Sequence, residues 1–210
     1  DLLSYGMGEL QTRQLARRLA AGEPIEKIRD IRGTCYLCRQ EELPEDYVTC
    51  ASFAKVSVDK PAHARACRIQ LENHDHVYGK TIVQKQTNEL FLVQNPPMRP
   101  LTQEEFDQVA QLPYMRMYHP SYEKLGGVKA IEEVEFSVIH NRGCFGACNF
   151  CSIAFHQGRH VTTRSVDSVV REVEAFTHSP RFKGYVHDVG GPTANFRVPS
   201  CKKQEACGLC

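Results

Sequence analysis

The chain has 210 residues, of which 41% are hydrophobic and 24% charged, with 26 lysines and arginines against 25 acids. That balance suits one large or two small globular domains and excludes a disordered or fibrous class. A net charge of +1 argues against a polyanionic partner such as nucleic acid.

The chain opens on Asp1-Leu2-Leu3-Ser4-Tyr5-Gly6, which reads as the tail of a strand entering a glycine turn. Residues 9–21 predict a helix with Leu15, Ala16, Leu19 and Ala20 on one face and Gly22 as its C-terminal cap. Ile25, Ile28 and the run Ile31 to Tyr36 then suggest a short helical turn and a strand. A second helix is expected over 61–73, with Ala64, Cys67 and Leu71 on one side. Thr81-Ile82-Val83 and Leu90-Phe91-Leu92-Val93 flank Thr87-Asn88 as a hairpin, and Asn95-Pro96-Pro97 with Pro100 forms a stiff linker. The run of four from Leu90 is far shorter than the roughly 20 apolar residues of a membrane span. No basic region followed by an apolar core marks a signal peptide at the start, so a cytoplasmic location without a membrane partner is expected.

Thr102 and Glu105 form a Thr-x-x-Glu capping box, with Leu101 and Phe106 placed as a hydrophobic staple, so a helix starts there and stops near Leu112. Residues 114–127 read as irregular. Val134 to Ile139 is β-rich, and Ser165 caps a helix whose apolar face is Val166, Val169, Val170, Val173 and Phe176. Gly184 to Val189 is a further strand ending in Gly190-Gly191-Pro192. Strand, loop, helix, strand is a βαβ unit, with parallel strands and ligands gathering at their carboxyl ends, where Cys144 and Gly190 fall.

Ten cysteines are many for such a chain. A disulfide framework needs a secretory context, which is missing. Close spacing favours metal ligation for Cys35/Cys38, Cys144/Cys148/Cys151 and Cys207/Cys210, whereas isolated Cys50 and Cys67 read as buried thiols. Asn141 to Ser152 carries the Cys-x3-Cys-x2-Cys loop, and Gly143 and Gly146 let it curl. Zinc wants a fourth close ligand, and ferredoxins use four cysteines at another spacing. Three thiolates on a cubane leave one iron open, the mark of a catalytic site. Structural zinc and buried thiols remain the plain alternatives. His140, His156 and His160 flank the loop, but a lone histidine is more often packed or solvated. Alternate residues such as His74-Asp75-His76 rarely converge on a metal. Arg142 is equally a surface ion pair or a cofactor contact.

The Cys-x3-Cys-x-aromatic-Cys pattern, with Phe150 as the aromatic, resembles the motif of the radical S-adenosylmethionine (SAM) superfamily. The stretches Arg142 to Gly146, Gly158-Arg159, Arg164-Ser165 and Asp188 to Asn195 resemble its bacterial YgiQ-type branch, as do Ala21 to Arg32 and Leu112 to Pro120. The resemblance implies a 4Fe-4S cluster on Cys144, Cys148 and Cys151, its fourth iron chelating the methionine moiety of S-adenosylmethionine. Phe150 would pack close to the adenine, and Gly190-Gly191 would meet the methionine amino group, with Pro192 where many members carry an acid. Electron injection would give a 5′-deoxyadenosyl radical acting on an unidentified substrate, with a reductant protein such as flavodoxin or ferredoxin as partner.

The fold implied is α/β: the first βα units of a partial radical SAM (βα)6 barrel, after an α+β connecting region and the end of a cobalamin-binding-like domain. The expected segments are 1–34 for the end of that upstream domain, 35–133 for the connecting region and 134–210 for the start of the barrel. An opening on a strand tail and a close on Cys207-Gly208-Leu209-Cys210 suggest a piece of a longer protein. Cys201, Cys207 and Cys210 are either a second metal site or reduced thiols in a tail. The enzyme reading stands against a non-catalytic iron–sulfur or zinc module, and against an inert fragment of an incomplete barrel.

Overall fold

The computed structural model describes residues 1–146 and 148–191, in a mixed α/β fold of two units. The tail cysteines Cys201, Cys207 and Cys210, and Pro192, lie outside the described residues.

The first unit holds Asp1–Pro100 and Phe145–His160. Its strands are β1 (Leu2–Ser4), β2 (Thr34–Cys38), β3 (Val48–Cys50), β4 (Ile82–Lys85) and β5 (Phe91–Gln94), in the order β1-β2-β5-β4-β3. All neighbours are antiparallel except β3 and β4. The expected hairpin is β4 and β5, with Val83 opposite Val93. Tyr36, Cys38, Val83 and Val93 bury themselves on one another, with Leu2, Leu43, Tyr47 and Phe91 packed against them. Because β1 pairs with β2, residues 2–4 and 34–36 share one sheet.

Helix α1 (Glu9–Ala20) stops at Gly22, whose φ of +83° suits a residue without a Cβ and whose N–H caps Leu19 O at 2.9 Å. Its buried residues are Leu10 and Gln11, not the expected Leu15, Ala16, Leu19 and Ala20 face. Gln11 Nε2 donates to Tyr5 O at 3.0 Å, and this bond draws a polar side chain inward. After the short α2 (Phe53–Val56), α3 (Lys60–Glu72) starts where Asp59 accepts from Ala62 N–H at 3.1 Å. It buries Ala62, while Ala64, Cys67 and Leu71 face solvent, so Cys67 is not the buried thiol expected. Cys50 is buried as expected.

The second unit holds Leu101–Cys144 and the chain from Val161 onward. Helix α4 (Gln103–Ala110) carries the expected box: Thr102 Oγ1 accepts from Glu105 N–H at 3.2 Å, and Glu105 accepts from Thr102 N–H at 3.0 Å. A 3-10 turn spans Pro120–Leu125. The β-rich run from Val134 is shorter than expected: α5 (Ile131–Val134) takes its first residue, and β6 is Ser137–Ile139. Then come β7 (Asn141–Arg142), α6 (Ile153–Gln157, in the first unit), β8 (Thr162–Thr163), α7 (Val166–Phe176) and β9 (Asp188–Gly190). Strands β6 and β9 pair in parallel, Ile139 opposite Gly190, with α7 crossing between them in sequence, which is the expected βαβ unit. Phe136, Val138 and Phe176 form its core, with Val169, Val173, Phe182 and Val186 against them. Val166 and Val170 of the expected helix face are exposed instead.

Candidate metal centre

The cysteine loop leaves the carboxyl end of β6 through β7. His140 N–H donates to Gly190 O at 2.9 Å, fixing the end of β6 beside the end of β9. Asn141 and Arg142 then pair with Thr163 and Thr162, so the chain departs after Arg142 and returns at Thr162 on one antiparallel ladder. Arg142 lies over the Phe106 ring at 4.6 Å, a cation–π contact.

Sequence reasoning missed the group that fastens this base. Arg164 is 2% exposed. It donates to Ile139 O at 3.1 Å, Ser168 O at 3.0 Å and Ser168 Oγ at 2.9 Å, and it pairs with Glu172, which Arg116 also holds. A buried guanidinium needs such complete pairing. The signal was present in the spacing: Ser168 and Glu172 lie four and eight residues beyond Arg164, on one face of α7. Ser165 caps that helix, accepting from Ser168 N–H at 3.1 Å.

Cys144 is buried, Cys148 exposed and Cys151 half-buried, and Cys151 N–H donates to Cys148 O at 3.0 Å. All three are free thiols. Among the described residues no three His, Cys, Asp or Glu side chains are grouped closely enough to hold a metal ion. Phe150 is 92% exposed. Cys35 and Cys38, read from spacing as a ligand pair, are buried on β2; an offset of three points them to opposite faces. Burial pushes the Cys35 thiol up to about 11 and raises that of Cys38, so both are protonated near neutrality and suited to packing.

The end of the βαβ unit holds one further feature. Asn141 is fully buried, yet neither its Oδ1 nor its Nδ2 has a partner among the described residues. Gly191 stands against it: a Cβ at that position would lie 2.1 Å from Asn141 Oδ1. Asn141 is therefore a buried amide with its polar atoms unspent among the described residues, and Gly191 packs so closely against it that no Cβ fits. Gly190 is buried as the last residue of β9, paired with Ile139, and Gly191 follows it.

A family profile described as Radical SAM N-terminal matches residues 1–137. The chain is 50% identical over 210 residues to a UPF0313 protein of Clostridium botulinum (strain 657 / Type Ba4), covering 100% of this chain and 33% of the relative. It is 51% identical over 211 residues to a UPF0313 protein of Clostridium perfringens (strain 13 / Type A), covering 100% and 32%. The chain thus spans about a third of the length of these curated relatives. No solved structure matches it.

Proposed function

The chain belongs to the Radical SAM N-terminal family, among the UPF0313 (YgiQ-type) proteins of the radical SAM superfamily, and from that premise we propose that it holds the cluster loop of an enzyme that cleaves S-adenosylmethionine reductively. The observation that carries this reading is the Cys-x3-Cys-x2-Cys loop leaving the carboxyl end of the first strand of a parallel βαβ unit. Strands β6 and β9 would be the first two of a (βα)6 barrel, whose ligands gather at that end.

The donor chemistry, three cysteines on one short loop, suits the cofactor. Cys144, Cys148 and Cys151 would each hold one iron of a 4Fe-4S cluster. The buried amide of Asn141, with both polar atoms unspent, can accept from the amino group and donate to the carboxylate of a methionine moiety. Gly191 lets backbone pack directly on that amide, and Gly190 would let backbone approach the same ligand. Phe150, exposed in the protein alone, has a free face on which an adenine can stack. When bound, the cluster supplies the electron that breaks a sulfonium sulfur–carbon bond and leaves a 5′-deoxyadenosyl radical.

The protein's own part is to orient and to shield. Arg164 holds the strand end through Ile139 O, and the β7–β8 ladder fixes where the loop starts and returns. A reductant protein such as flavodoxin or ferredoxin would deliver the electron. Working in the cytoplasm, the chain would keep its cysteines as thiols. Among the described residues no helix is long and apolar enough to cross a membrane.

The test is iron and sulfide content after anaerobic reconstitution. The parent chain should bind about four irons, and alanine at Cys144, Cys148 or Cys151 should lose them, because two thiolates hold a cubane poorly. Parent-like iron in any one of these variants would overturn the assignment.

A further inference from the structure

The first unit contains a second polar site that the cluster chemistry leaves unused. It is a cavity of about 60 Å³ whose walls come from the turn after β1, from α1, and from the chain after α3, β5 and α6. At about 10–15 Å³ per water-sized occupant, it has room for about five such atoms. Gln11, His76, Arg99, Arg159 and His160 line it, beside Asp75.

Two of these side chains carry a buried polar atom with hydrogen-bonding capacity left over. Gln11 is 1% exposed; its Nε2 is spent on Tyr5 O at 3.0 Å, and its Oε1 has no partner among the described residues. Gly33, at a φ of +73°, backs this amide so closely that a Cβ there would stand 2.4 Å from Nε2, which keeps the side chain in place. The Nδ1 of His160 is likewise buried without a partner. His76 stands edge-on to the His160 ring, with centroids 5.8 Å apart. The lining thus carries an amide acceptor and imidazole nitrogens, with the guanidinium groups of Arg99 and Arg159 beside them.

Charge selects the class of ligand. His76 is held below the usual histidine range first by burial and then by the neighbouring His160, Arg32 and Arg99, with only Asp75 opposing. Oδ1 of Asp75 is already engaged, accepting from Val77 and Tyr78 N–H at 2.8 Å each. Arg32, donating to Pro97 O and His76 O at 2.9 and 2.7 Å, ties two walls together. With Arg99 and Arg159 on the lining, the surroundings favour an anion over a cation.

We propose that this cavity binds a protonated tetrahedral oxyanion, hydrogen phosphate or the phosphate group of a monoester. Its P–O oxygens accept from the guanidinium and imidazole N–H groups, and its P–OH donates to Gln11 Oε1, the one acceptor otherwise stranded. Phosphate has five heavy atoms, matching the space. The site stands whether or not the cysteine loop holds a cluster.

The test replaces chloride with inorganic phosphate at fixed ionic strength and follows the histidine ring signals of the whole chain by nuclear magnetic resonance. Saturable shifts confined to the cavity histidines His74, His76, His156 and His160 are expected, with weaker binding of sulfate, which has no proton for Gln11 at neutral pH. Arg99→Gln and His160→Gln should each weaken phosphate by at least about tenfold, the scale of one charge-assisted hydrogen bond. Gln11→Met should narrow the preference for phosphate over sulfate. Glycerol 3-phosphate binding more tightly than phosphate identifies a monoester as the source, and weaker binding identifies the free ion. No saturation, or equal responses to phosphate and sulfate in the parent chain, overturns the proposal without recourse to any variant.

Discussion

The orphaned amide of Asn141 makes a prediction in which stability and ligand binding move in opposite directions. Its two polar atoms are buried and unpartnered, and each such group costs about 1–3 kcal/mol. Asn141→Leu removes both at similar volume. Some of the gain is lost to repacking against Gly191, where the side chain already sits tightly. A net stabilisation of about 2 kcal/mol is expected. At about 2–4 °C per kcal/mol for a chain of this size, that raises the melting midpoint by about 4–8 °C. The same variant should lose S-adenosylmethionine in equilibrium dialysis while keeping its iron. Thermal unfolding of the metal-free chain reads the first effect. Destabilisation of about 2 kcal/mol instead would show that the fold itself uses the amide, and undiminished binding would remove Asn141 from the ligand site.

Three further outcomes are expected. Gly190→Val suits a strand residue, so iron content should hold while S-adenosylmethionine affinity falls; equal affinity would return Gly190 to a purely structural role. Arg164→Met strips the carbonyl of Ile139 and leaves Glu172 to Arg116 alone, which should cost about 3 kcal/mol and lower the melting midpoint by about 6–12 °C; a shift under about 2 °C would refute the clamp. His74 is lowered first by burial, against hydrogen bonds to Phe155 and Ala154, so its neutral form is the one the fold favours. With the unfolded value near about 6.5, that stability is present above it and is lost as pH falls toward the folded value. The urea midpoint should therefore drop as pH falls below about 6.5, and less so in His74→Phe. A flat profile in the parent would contradict this.

The sequence was most legible where a local bond decides the structure. The capping box at Thr102 and Glu105, the Ser165 cap and the glycine stop at Gly22 are short-range devices, and each sits where the spacing placed it. The parallel pair β6 and β9 followed from the order of strand, helix and strand. Helix faces were less legible. The inward side of α1 is set by Gln11, whose partner is Tyr5 O and whose backing is Gly33, and no apolar periodicity reports a buried glutamine. α3 buries Ala62 rather than Ala64, Cys67 and Leu71, because its inward side is set by packing on α2 and β3, which its own repeat does not report.

Long-range assembly was not legible either. His74-Asp75-His76 was read as a tripeptide with no metal role, and each member does take a separate task. Asp75 closes a turn, His74 packs on Phe155 at 5.5 Å, and His76 meets His160 from 84 residues further on, giving a polar cavity that no window of sequence contains. Asn141 looked like part of a loop; only its burial beside Gly191 gives it a candidate task.

The central claim is that the cysteine loop holds a cluster with one iron open to S-adenosylmethionine. The most direct measurement is electron paramagnetic resonance of the anaerobically reconstituted, dithionite-reduced chain, recorded before and after adding S-adenosylmethionine. The account predicts a reduced 4Fe-4S signal that changes on addition and is lost from the Cys148→Ala variant. A signal indifferent to S-adenosylmethionine, or a chain that takes up zinc and no iron, would contradict it.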